Sequence, residues 1–289
     1  MRYSNPRNVL HTRLARGEAT SGLTFASQIH HAWDDLHMTS PLDQKLVDLY
    51  QREGFLLLPQ ILNAEQRQSI TQECMDCWIE EKGPYDPEGT WLHNALLTDI
   101  DRKSAKVQTF YRNGPLLDVA EQLIGPNIKG AATQLTFKMR GNSMPFGWHQ
   151  DNGYGQLDPA NAMTTLTALD DADEENGCLW VIPSSHLRGQ IDMTDRLTVQ
   201  SKASGADLSV EVEQPQDARP VIMKAGDTVI LHGHTLHRSE GNRSKHRDRR
   251  LLFMRYADAD AIEVYNQGTP RLGPLLRGET RFEQVRDYQ

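Results

Sequence analysis

The chain has 289 residues, of which 38% are hydrophobic and 24% charged, and this composition excludes a disordered, fibrous or membrane-embedded protein. The formal net charge of -8 argues against a general nucleic-acid-binding protein, and no apolar run reaches the length of a membrane span. We therefore expect neither a nucleic-acid nor a membrane partner. Three cysteines are too few for a disulfide framework, which indicates a reducing, cytoplasmic location.

The first 39 residues are predicted to form an N-terminal extension, followed by a single domain over 40–289. The extension is rich in arginine but lacks an apolar core, so it is not a secretory signal; a transit peptide and a partner-contacting segment both stay open. A helix then runs into the strand that begins at Phe55, and a second helix is predicted between the capping Asn63 and Gly83. Residues 84–105 are rich in Pro, Gly and Asp and are predicted to be a long loop. A short amphipathic helix ends at Gly125.

From about residue 128 the pattern changes to short β-type runs separated by turns. The runs are AATQLTFKM, TTLTALD, CLWVI, TVILHG and LLFMRYA. Because these strands do not alternate with helices, the pattern favours an antiparallel barrel or jelly roll over a Rossmann-like fold. The polar stretch 190–219 is predicted to be an insertion that serves as a lid or specificity loop.

The segment GWHQDNGYG contains a potential metal site. His149 and Asp151 lie two residues apart, so on an extended strand both side chains would point to one face. A second His-x-Asp, at His246 and Asp248, lies in a charged, turn-rich run and is expected to be solvated. Two histidines and one carboxylate leave open coordination positions and suit non-haem Fe(II), while zinc is the chemical alternative.

The segments WHQDNGY, ENGCLWVIPSSHLRG, AGDTVILHGHTLHRSEGNRS and RRLLFMRYA together resemble the phytanoyl-CoA dioxygenase family of Fe(II)- and 2-oxoglutarate-dependent oxygenases, over about residues 40 to 260. The resemblance implies a mainly β fold with flanking helices, a double-stranded β-helix of the jelly-roll or cupin type. It also implies Fe(II), 2-oxoglutarate and O2 as cofactor and cosubstrates, with release of succinate and CO2. We expect a monomer or homodimer.

By the resemblance, the catalytic metal ligands are His149, Asp151 and His237, with His232 and His234 as rivals for the third position. A carboxylate at position 151 implies hydroxylation or a related oxidation, since halogenating relatives carry a small residue there.

The resemblance also implies an arginine that binds the far carboxylate of 2-oxoglutarate. This selects Arg249, with Arg250 as the alternative because neighbouring residues on a strand face opposite ways. Ser239, Gln134 and Lys138 are further cofactor-binding candidates, although the last two would equally suit a polar lining of the barrel mouth.

Candidates for the substrate pocket are Tyr154, Asn152, Trp91 and Arg255. Their mixture of aromatic and polar groups suits a small polar metabolite at least as well as an acyl thioester. Two other functions stay open: a zinc-dependent hydrolase or isomerase, and a non-enzymatic metal-binding protein on the same barrel. The zinc enzyme would need neither the arginine nor 2-oxoglutarate.

Overall fold

Two antiparallel sheets form the centre of the structure, a computed structural model that describes residues 42–86, 95–141, 144–154, 156–191 and 215–288. These residues all belong to one compact unit, 38–289. The strands are β1 (Phe55–Leu58), β2 (Leu96–Thr98), β3 (Ile128–Lys138), β4 (Phe146–His149), β5 (Leu157–Asp158), β6 (Ala162–Ala168), β7 (Leu179–Val181), β8 (Arg219–Val221), β9 (Thr228–His232), β10 (His237–Ser239), β11 (Arg249–Asp258), β12 (Ile262–Glu263), β13 (Thr269–Pro270) and β14 (Leu275–Arg277). The helices are α1 (Gln44–Glu53), α2 (Ala64–Glu81), α3 (Ile100–Lys103), α4 (Ala105–Asn113), α5 (Pro115–Ile124) and α6 (Glu283–Arg286).

The larger sheet has the order β1-β9-β6-β11-β3-β14, with β2 added beside β3, and the smaller sheet has the order β4-β10-β7-β8. Strands β5, β12 and β13 form a third, short sheet. The inner faces of the two main sheets share one apolar cluster, to which the larger sheet contributes Leu166, Val229 and Leu251 and the smaller sheet Leu179 and Val181. Burial of these side chains is what holds the sheets together.

Helices cover the outer face of the larger sheet. The ring of Trp78 on α2 packs edge-on against Phe137 of β3, with 5.1 Å between the centroids. Tyr111 of α4 lies against Tyr256 of β11 and donates its hydroxyl hydrogen to the carbonyl oxygen of Arg255 at 2.6 Å. Alternate residues of β3 and β11 therefore face the helices, and the residues between them face the interior.

Both predicted N-terminal helices are present, and their ends have the predicted chemistry. Asn63 and Gln66 form a reciprocal capping box at the start of α2, and Gly83 adopts φ +68° after its end. No helix within the described ranges is long and apolar enough to cross a membrane.

The prediction of a continuous loop over 84–105 is wrong in its second half. Residues 96–98 form β2, and residues 100–103 form α3. Three residues are too few to show a strand periodicity, and β2 exists because Leu96–Thr98 pair with Thr136, Leu135 and Gln134 of β3. The N-terminal extension and residues 192–214 of the expected insertion lie outside the described residues, so the predicted domain limits stay predictions.

Candidate active site

Three potential metal ligands converge where β4 and β10 meet. His149 ends β4, and His237 is its partner in the antiparallel pair, with 4.1 Å between the ring centroids. Oδ1 of Asp151 lies 3.9 Å from Nε2 of His149 and 3.6 Å from Nε2 of His237. All three side chains are buried. Among the described residues, these three form a group of potential ligands whose ligating atoms lie within 4.8 Å of one another.

The local backbone differs from the predicted extended strand. The strand ends at His149, and Asp151 begins a 3-10 turn, so the bend rather than strand alternation brings the carboxylate beside the imidazole. Gln150 fixes this bend: its Nε2 donates to the carbonyl oxygens of Gly189 and His234 at 2.9 and 2.8 Å, and its Oε1 accepts from the backbone of Ile191.

The hydrogen bonds of both histidines suit a metal ligand. Nδ1 of His149 lies 2.8 Å from the carbonyl oxygen of Gly147, and Nδ1 of His237 lies 2.9 Å from that of Thr235. Because a carbonyl oxygen only accepts, each Nδ1 carries a hydrogen, and Nε2 is the ring nitrogen left to face a metal. The donor set therefore fits a divalent cation of the Fe(II) or Zn(II) kind.

The Asp151 carboxyl is held in its charged form. Burial by itself would raise its pKa, but the charges of His237, His149 and Arg255 and a hydrogen bond from the Thr164 hydroxyl bring the pKa below its usual range. The Thr164 bond also occupies Oδ2 and leaves Oδ1 on the side of the two imidazoles.

Arg249 and Arg250 face opposite ways, and their partners differ. The Arg249 side chain is buried, with Nε donating to the carbonyl oxygen of Gly177 at 3.1 Å and Nη1 to Oγ1 of Thr136 at 3.0 Å. Arg250 makes a two-pronged ion pair with Asp170, at 2.7 and 2.6 Å. Burial lowers the pKa of Arg249 to about 10, and no carboxylate of the described residues forms an ion pair with it.

The other cofactor-binding candidates are Lys138, Ser239 and Gln134, and one of them lies directly opposite Arg249. Lys138 is its cross-strand partner at the end of β3, and Lys138 Nζ donates to the carbonyl oxygens of Ser239, at 3.2 Å, and Glu240. Burial lowers the pKa of Lys138 well below its usual range. Ser239 is buried two residues after His237, and Gln134 is half-buried on β3 opposite Phe253.

Two of the four substrate-pocket candidates can be placed. Arg255 and Asn152 are both buried, and a guanidinium N–H of Arg255 donates to Oδ1 of Asn152. Tyr154 ends the 3-10 turn, but its side chain is not among those that the structure describes, and Trp91 lies outside the described residues.

The rival ligands lie apart from the triad. His232 and His234 pack against each other, with 5.3 Å between the ring centroids, and burial lowers the pKa of His232 to about 4. His246 is exposed, and Asp248 accepts the side chain and backbone N–H of Arg140. The second His-x-Asp is thus a surface turn.

Three interacting groups were missed by reasoning from the sequence. They are the Thr164 hydroxyl beside Asp151, the Thr136 hydroxyl beside Arg249, and the Gln150 amide under the ligand turn. A signal existed for Thr136, which lies between Gln134 and Lys138 at the two-residue spacing of one strand face. No local pattern identifies the other two, because their partners are distant in sequence.

The chain resembles known proteins in both its sequence and its fold. The sequence model of the family described as "Phytanoyl-CoA dioxygenase (PhyH)" matches residues 50–251. The chain is similar to the methylphosphonate hydroxylase of Gimesia maris, 25% identical over 243 residues that make up 79% of this chain and 86% of that protein. It is also 25% identical to the peroxisomal phytanoyl-CoA dioxygenase of Rattus norvegicus, over 79% of this chain and 73% of the relative. Among solved structures, the non-heme alpha ketoglutarate dependent carbocyclase SnoK from nogalamycin biosynthesis superimposes with a TM-score of 0.65 at 23% identity, over 83% of this chain and 95% of that one. This likeness confirms the predicted jelly-roll fold.

Proposed function

The chain belongs to the phytanoyl-CoA dioxygenase family, and we propose that it hydroxylates a small organic metabolite with Fe(II), 2-oxoglutarate and dioxygen, releasing succinate and CO2. The predicted family and the dioxygenase class are confirmed by the family match together with the His-Asp-His triad. The substrate class and the role of each side chain belong to the proposal.

His149, Asp151 and His237 would hold the metal through two Nε2 atoms and Oδ1. Fe(II), when bound with 2-oxoglutarate and dioxygen, supplies the oxidising chemistry. The protein's own task is to present these three donors from one side, so that the remaining positions are available to ligands, and to exclude water from them. The backbone carbonyls of Gly147 and Thr235 orient the two imidazoles for this task.

The observation that carries the proposal is that Arg249 is buried and forms no ion pair with the described residues. A buried guanidinium without an acidic partner is costly, and an incoming carboxylate would offset that cost through a pair of charge-assisted hydrogen bonds. The distal carboxylate of 2-oxoglutarate is such a group. Thr136 and Gly177 hold two donors of Arg249 in place, so the guanidinium is ordered before its ligand arrives. Ser239 and Lys138 would border the same end of the cosubstrate.

Arg255 and Asn152, with Tyr154 and Trp91, are proposed to border the substrate. Two buried polar side chains near Asp151 suit a small polar molecule better than a long acyl chain, whose burial needs an apolar channel. That one relative matched along most of its length is described as a methylphosphonate hydroxylase supports a small substrate.

The test is anaerobic. Fe(II) and then 2-oxoglutarate are added to the metal-free protein, and the visible spectrum is recorded for a weak charge-transfer band. Wild type should show the band and Asp151→Ala should not, and succinate release then serves to screen substrates. No band in wild type, together with tight zinc binding, would replace the proposal with the zinc enzyme or the metal-binding protein.

A further inference from the structure

Two buried arginines project from the inner face of β11, and the proposed function gives an anionic partner to only one of them. Arg249 and Arg255 lie six residues apart, with Leu251 and Phe253 between them on the same face of the strand. No carboxylate of the described residues is within ion-pair distance of either arginine. Arg249 is assigned to the cosubstrate above. Arg255 is a second buried cation, for which no anionic partner has been assigned.

Arg255 lies beside the triad. It is paired across the strands with Thr164 of β6, and residues paired in this way have Cβ atoms about 4.5–5.5 Å apart. Thr164 in turn donates its hydroxyl hydrogen to Asp151. Asp151 is also the carboxylate that most favours the charged form of Arg255, but its charge is the one that a bound metal would engage.

The donors of Arg255 are mostly unused. A guanidinium carries five N–H hydrogens in a planar fork. Within the described residues, the Arg255 side chain makes one hydrogen bond, to Oδ1 of Asn152. Its Nε is buried and has no hydrogen-bond partner among the residues that the structure describes. A buried donor left in this state costs free energy, which a ligand with acceptor oxygens would recover.

Asn152 holds Arg255 in position. The Asn152 side chain is fully buried, and its Nδ2 lies 3.1 Å from Nε2 of His234 and 3.4 Å from the carbonyl oxygen of Ala160. Its backbone N–H donates to the carbonyl oxygen of Gly233, where an added Cβ would come within 2.9 Å of Asn152 Oδ1. The amide oxygen therefore stays directed at Arg255, which makes Asn152 a positioning residue.

Two other arginines of the same region serve for comparison, because both form ion pairs. Arg250 is paired with Asp170, and Arg271 is paired with Glu263 at 2.8 Å. Arg255 is more deeply buried than both, with 7% of its surface exposed, and it has no such partner in the described parts of the chain.

We propose that Arg255 binds an anionic group of the substrate, so that the molecule hydroxylated is a small phosphonate or carboxylate. Phosphonate and carboxylate share the chemistry that the guanidinium fork recognises, namely two acceptor oxygens with a delocalised negative charge. The anionic group would be bound close to the triad, which limits the distance between it and the oxidised carbon. This inference rests on the proposed function, because it assigns Arg249 to 2-oxoglutarate.

The test uses the anaerobic protein loaded with Fe(II) and saturating 2-oxoglutarate, so that Arg249 is occupied. Ethylphosphonate, propionate, the neutral propionamide and the cationic propylamine are titrated by calorimetry. We expect an anion to bind more tightly than the neutral and cationic compounds, and the stronger of the two anions identifies the head group. Arg255→Gln should weaken anion binding by about tenfold to a hundredfold and leave the amide unchanged.

Two further variants give the experiment its controls. Arg250→Gln removes an arginine from the opposite face of the same strand and should leave anion binding as in wild type. Asn152→Asp keeps the volume of the side chain but gives Arg255 a carboxylate partner, so it should reproduce the loss even if Arg255→Gln folds poorly.

The outcomes separate this inference from the proposed function. If the charge-transfer band forms but neither anion binds more tightly than the amide, or if Arg255→Gln binds anions as wild type does, the anionic substrate class is overturned and the oxygenase function stands. If the band itself never forms in wild type, the proposed function fails, and this inference fails with it.

Discussion

Replacing Arg249 by Gln should weaken the response to 2-oxoglutarate without removing the fold. In the absence of cosubstrate we expect the free energy of unfolding to change by less than about 1 kcal/mol. The variant loses the hydrogen bonds to Gly177 and Thr136, but it no longer buries an unpaired cation, and the two effects oppose each other.

With metal bound and 2-oxoglutarate at about 100 times its Kd, the wild-type protein gains about 2.7 kcal/mol. For a chain of this size that gain corresponds to a rise in Tm of about 4–5 °C. Loss of a bidentate arginine–carboxylate contact, at about 1.5–3 kcal/mol, lowers the affinity by about tenfold to 150-fold, so about half to nine-tenths of the rise should disappear in Arg249→Gln.

Scanning calorimetry of the Mn(II)-loaded proteins, with and without 2-oxoglutarate, measures both effects. Arg250→Gln is the matched control. It breaks the pair with Asp170 and should lower the starting Tm, yet keep the full rise with cosubstrate. A full rise in Arg249→Gln, or its loss in Arg250→Gln, would refute the assignment of the inward-facing arginine to the cosubstrate.

Three further changes have defined outcomes. Thr164→Val removes the hydroxyl bonded to the ligand carboxylate and should weaken metal affinity about tenfold in a metal titration, whereas Thr167→Val, whose hydroxyl bonds to another strand, should not. His246→Ala combined with Asp248→Asn should leave metal affinity unchanged, and a loss of metal would contradict the assignment of the site. His232 has a pKa of about 4 in the folded protein and about 6.5 in the unfolded chain, so between these pH values the unfolded state binds one more proton. About 3 kcal/mol of stability is therefore lost as the pH falls from 6.5 to 4. Denaturant unfolding of the metal-free protein should show a flatter pH dependence in His232→Gln, and equal slopes would refute the burial argument.

Much of the fold was predictable because its signals are local. The cap at Asn63, the stop at Gly83 and the β-type runs of β3, β6, β9 and β11 each depend on neighbours along the chain. The short strand β2 was not predictable, since it has three residues and exists through its pairing with β3.

By itself the sequence determined the class of the protein: the spacing of His149 and Asp151, with the motif around His237, was enough to indicate the family, and the family match bears this out. Only the tertiary structure decided which of two adjacent arginines faces the interior. That choice depends on the register of β11 against β3 and on the position of Asp170, neither of which leaves a local pattern. The same is true of Arg255: its sequence neighbours are those of an ordinary strand residue, and its unmet donors appear only when distant strands enclose it and exclude water.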